Sequence, residues 1–66
     1  MARYEVCVFD AEGNEAEWLT RDVSSIARGR EYGDREIRGL DGWTYEVVEV
    51  TALGYRIPAT DARGRA

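Results

Sequence analysis

Residues 21–40 read RDVSSIARGREYGDREIRGL, and their folding decides whether the chain closes into a barrel or lays a helix on a sheet. Asp22 and Ser25 are helix-capping residue types, and Val23, Ile26 and Ala27 supply apolar positions for one or two helical turns over 22–29. Gly29 is placed to end such turns and Gly33 repeats the interruption, so a long helix is not expected. A helix of about 7 residues is too short to support itself without packing. Beyond Gly33 and Asp34, REIRGL reads as a short strand over 35–39 with Ile37 inward, closed by the hairpin-type dipeptide Asp41–Gly42.

The flanks are strand-like. Residues 3–9 alternate, with Tyr4, Val6 and Val8 on one face and Arg3, Glu5, Cys7 and Phe9 on the other. The cluster DAEGN at 10–14 is a turn, and EAEWLT at 15–20 is the return strand. Residues 43–51 form the longest strand, and its pattern changes phase: Trp43, Tyr45 and Val47 share one face, Val48 and Val50 the other. A bend or bulge at Val47–Val48 would let this strand serve both sides of a small barrel. Gly54 offers another turn, 54–57 a last short strand, and Pro58 an end to pairing.

Strands near 3–9, 15–20, 35–39, 43–51 and 54–57 predict a mostly β fold, a small five-stranded antiparallel barrel of SH3-like architecture with at most one short helical turn. The alternative is an α+β fold, a three- or four-stranded antiparallel sheet with one short helix. The expected domain is 1–58, with 59–66, small, polar and charged, as a disordered tail.

Composition restricts the chemistry. The 66 residues form one domain at most and bury only about 60% of the unfolded chain's surface, which raises the expectation of self-association as a homo-oligomer. Cys7, the single cysteine, forms no internal disulfide and reads as a buried small hydrophobe. There is no histidine to act near neutral pH and no lysine for a Schiff base, and Ser24 and Ser25 have no visible base, so an enzyme is not expected. No metal or cofactor is expected either. Asp10, Glu12 and Asn14 begin like a calcium loop, but Gly13 is misplaced and Arg21 stands where the closing carboxylate belongs. Neither a signal peptide nor a membrane span is visible, which with the free thiol gives a cytoplasmic expectation.

All nine basic side chains are arginine, against thirteen carboxylates, for a net charge of −4. Arginine-only usage fits a GC-rich genome, and the acidic excess argues against duplex DNA binding. Five arginines, Arg21, Arg28, Arg30, Arg35 and Arg38, nevertheless fall in 21–38. With Trp18, Trp43, Tyr32 and Tyr45 they suggest a stacking platform with cationic edges, and Asp22, Glu31, Asp34 and Glu36 are positioned to neutralise them. Seven aromatics exceed what a narrow barrel encloses, so some are expected at the surface, where they anchor partners; Tyr32, on a loop, is the leading case. The candidate binding residues are Trp43, Tyr45, Trp18, Tyr32, Arg28, Arg30 and Arg38.

Three functions are compatible with these features. The first is a non-enzymatic interaction module, an accessory or adaptor protein of bacterial or phage type that binds a protein partner or itself through an aromatic patch and a β-edge. The second is single-stranded nucleic-acid binding, RNA in particular, through the Arg-rich segment 21–38. The third is an acidic inhibitor that mimics nucleic acid with the carboxylates of residues 5–17 and 41–49.

Overall fold

The computed structural model describes residues 2–66 and, except at positions 60 and 61, their side chains. Its elements are β1 (Arg3–Phe9), a single 3-10 turn (Glu17–Leu19), β2 (Arg21–Val23), α1 (Ile26–Ile37), β3 (Thr44–Val50) and β4 (Arg56–Arg65). The strands form one antiparallel sheet in the order β2-β1-β3-β4. No pairing joins β2 to β4, so among the described residues the sheet is open and the expected SH3-like closure does not occur. The architecture is mostly β with one helix.

The helix is the principal departure. Ser25 is its N-cap, with an extended backbone and a side-chain oxygen that accepts from the Arg28 N–H at 3.1 Å. From there α1 runs through Gly29 and Gly33 without a break. Each interior glycine costs about 1 kcal/mol of helix propensity. Spaced four residues apart, both lie on one face, and that face is buried against the sheet. A Cβ on Gly29 would stand 2.7 and 2.9 Å from the two Val47 methyls, and one on Gly33 would overlap the Tyr45 ring. The glycines are the contact surface, and packing at this close approach offsets their propensity. The helix ends where Gly39, at φ +81°, takes the left-handed conformation that follows many helix C-termini. The expected strand at 35–39 is thus the last helical turn and its cap. Ile37 is inward as predicted, but from the helix. Asp41–Gly42 belongs to the helix-to-strand connection, not to a hairpin.

β3 resolves its own change of phase. Its pairing with β1 is regular from Arg3↔Val50 to Phe9↔Thr44, so the strand carries no bulge on that side. Both faces are buried because β3 is central: Tyr45 and Val47 meet the helix with Val6, Val8, Ile37 and Ala62, while Val48 and Cys7 are buried on the opposite face. There Arg56 reaches over to Glu5 (3.1 Å) and Glu15 (3.3 Å), and Arg63 pairs with Glu46 (2.9 Å). The irregularity lies in β4: residues 58 to 63 span what 48 to 46 span on β3. β4 extends to Arg65, so the strand expected at 54–57 is longer, and the segment expected to be a disordered tail is an edge strand.

The predicted first hairpin forms with a different return strand. Phe9 bridges Glu15, then residues 17–19 turn outward before Arg21↔Val6 resumes the pairing. The strand predicted over 15–20 is interrupted by that turn. In the loop before it, the Asp10 carboxylate accepts from the Glu12 and Asn14 N–H groups, as a side-chain-stabilised turn does.

Burial pushes the Cys7 thiol up, and the carboxylates of Glu15, Glu5 and Glu46 act in the same direction against the pull of Arg56. Burial raises the Tyr45 phenol too, with the Asp34 carboxylate beside it adding to the shift. For both groups the unfolded chain releases its proton first, so stability is complete below the unfolded pKa and is lost as pH rises through the folded one. Thermal melts should therefore be flat near neutrality and decline above pH 9.0, the ordinary value of the thiol, with a further decline above 10.0. Cys7→Ala should remove the first decline and leave the second; a Cys7→Ala melt that still falls from pH 9 would refute the assignment.

Candidate functional site

The predicted binding residues separate into a core set and a surface set. Tyr45, 2% exposed, is a core residue and is unavailable to a partner. Trp43 is half-buried against the same core. Arg30 lies on the β4 flank of the helix beside the Tyr45 hydroxyl, and Arg38 is exposed at the helix C-cap. Arg28 pairs with Glu31 at 3.7 Å along the helix surface.

Trp18 and Tyr32 are linked through the 3-10 turn, since Trp18 precedes Leu19 in the chain and Tyr32 is hydrogen-bonded to Leu19. The 3-10 turn projects Trp18 outward, leaving it 73% exposed, while Leu19 turns toward the core. The Tyr32 hydroxyl donates to the Leu19 carbonyl at 2.8 Å, which pins the ring beside that turn. Tyr32 is half-buried, not the freely exposed loop residue expected, because its segment is helical. Two guanidiniums lie over its ring, Arg35 at 5.6 Å and Arg21 at 5.9 Å from the centroid, within cation–π range. Burial raises the Tyr32 phenol and Glu36 adds to it, while Arg21 and Arg35 oppose. Among the described residues neither Arg21 nor Arg35 has a carboxylate within ion-pair distance.

Arg21 and Arg35 were visible in the sequence only as members of an Arg-rich run. The three-residue spacing of Tyr32 and Arg35 becomes informative once the segment is a helix, where such residues are neighbours.

A second exposed surface lies on the β3–β4 hairpin, where Leu53 is 84% and Tyr55 68% exposed, followed by the half-exposed Ile57. The free edge of β4 beside it is blunted. Counting from the hydrogen-bonded Thr51–Tyr55 pair, Pro58 sits where a backbone N–H would face outward, and the bulge follows at once. Among the described acidic side chains, Glu5, Glu15 and Glu46 share one sheet face and are paired with arginines, whereas Glu49 lies on the other face.

No helix among the described residues is long and apolar enough to cross a membrane. No protein-family model, curated protein or solved structure matches the chain.

Proposed function

We propose that the protein is a small non-enzymatic interaction module, an accessory or adaptor protein of the bacterial or phage cytoplasm, that binds a protein partner through the rim formed by Trp18, Arg21, Tyr32 and Arg35. The observation that carries this reading is the exposure of Trp18 on a turn whose next residue, Leu19, accepts a hydrogen bond from a tyrosine whose ring lies under two guanidiniums. Trp, Tyr and Arg are the residue types that dominate interface energetics, and a fixed ring loses little entropy on binding. Truncating Trp18 removes no buried contact of the core, so Trp18→Ser should leave the melting temperature within a few degrees of wild type. Cross-linking and co-purification from the source cell should then lose the partner with Trp18→Ser and keep it with a substitution elsewhere on the surface. Equal recovery by both proteins would refute the reading.

Self-association is a second reading, favoured by Leu53 and Tyr55 on the hairpin. Light scattering should then show a dimer that Leu53→Ser with Tyr55→Ser returns to monomer; a monomeric wild type would exclude it.

A further inference from the structure

We infer that the partner segment seated on this rim is an acidic peptide, with carboxylates beside an apolar side chain; this rests on the rim being a protein-binding site, as proposed above. Thirteen acidic residues face nine arginines in this chain. Arg3, Arg28, Arg56 and Arg63 all hold carboxylates. Among the described residues Arg21 and Arg35 hold none, although both lie over the same ring. A guanidinium fork matches a carboxylate with two parallel hydrogen bonds. Both guanidiniums are held near one ring, and Arg21 also donates to the Thr20 carbonyl at 3.3 Å, so they lose less freedom than unrestrained side chains when they engage. Trp18 supplies the apolar half of the surface. Glu17 stands next to it in sequence and Glu36 is close enough to Tyr32 to raise its phenol. Those two carboxylates would repel the evenly spaced phosphates of a nucleic-acid strand, whereas a peptide can place its acids over the arginines and its apolar residue over Trp18.

The test is selection of a random peptide library on the folded protein, followed by fluorescence polarisation with the selected peptides. They should carry Asp or Glu flanking Leu, Phe or Trp. Arg21→Gln and Arg35→Gln should each weaken binding by about tenfold or more, as the loss of a charge-assisted hydrogen bond does. Raising salt from about 50 to about 500 mM should weaken it as well. Circular dichroism of each variant confirms that the fold is retained. Peptides that require Trp18 but bind the double Gln variant equally would overturn the acidic assignment and leave the interaction site standing. Peptides indifferent to Trp18→Ser would overturn both. Tighter binding of a short oligo-dT strand than of any selected peptide, lost in the same variants, would overturn the assignment in favour of single-stranded nucleic acid.

Discussion

Gly33→Ala should destabilise the protein by about 3 kcal/mol, although alanine is the better helix former by about 1 kcal/mol. An added methyl at residue 33 has no room, because it falls on the Tyr45 ring at its attachment to the side chain, where the ring cannot swing away. The ring is also confined from its other side: Gly64 is the cross-strand partner of Tyr45, and a Cβ there would overlap the far edge of the ring and its hydroxyl. Gly64→Ala should therefore be comparably destabilising. A small domain of this length is stable by about 3–10 kcal/mol, so either substitution removes a large share. The melting temperature should fall by about 12 °C or more. A gain in stability at Gly33→Ala, as an ordinary exposed helical glycine would give, would show that the helix does not sit on Tyr45.

The second large effect belongs to the ring itself. Tyr45→Ala should cost about 3–5 kcal/mol, because the space between Gly33 and Gly64 has no side chain of its own to collapse into it. At the lower end of the stability range such a variant is unfolded at room temperature. Tyr45→Phe keeps the ring and gives up only the hydroxyl beside Asp34, for a loss of about 1 kcal/mol. The two sites should also be coupled: Gly33→Ala made in a Tyr45→Leu background should destabilise by at least about 1 kcal/mol less than it does in wild type. Additive effects, measured by urea titration, would separate the glycine from the ring and contradict the packing described.

The same contacts explain what was legible beforehand. β1 and β3 could be read from their own side chains, since alternation in RYEVCVF and the valines of TYEVVEV carries the strand signal locally. The helix could not. Gly29 and Gly33 are breakers by propensity, and their fitness for a helix depends on Val47 and Tyr45, 18 and 12 positions away in the chain. The same holds for 56–65, where Gly64 and the arginines look like a solvated tail until Tyr45 is placed over the glycine and Glu46 beside Arg63. The phase change at Val47–Val48 reads in the sequence as a bend or bulge serving a small barrel, whereas a central position in an open sheet, buried on both faces, produces it without a bend in the strand.

The candidate site followed the helix. In the sequence Trp18 stands out by residue type, and Tyr32 by type and by its expected place on a loop. The meeting of Tyr32 with Arg21 and Arg35 depends on a helix that carries Tyr32 back to the Leu19 carbonyl, on the same turn that leaves Trp18 exposed. Read as a loop, residues 21–38 place all five arginines together; folded, Arg21 lies on β2 and the helix carries Arg30 on the Tyr45 side and Arg35 over Tyr32.

Everything proposed for the rim depends on residues 26–37 forming a helix seated through its glycines on Tyr45. Proton NMR of the native protein reads this directly. The Hα protons of Gly33 and Gly64 should be shifted upfield by the Tyr45 ring current and show nuclear Overhauser contacts to its ring protons, with helical Cα shifts from Ile26 to Ile37. Extended-type shifts over 35–39, with unshifted Gly33 Hα protons and no contact to Tyr45, would contradict the fold and the site built on it.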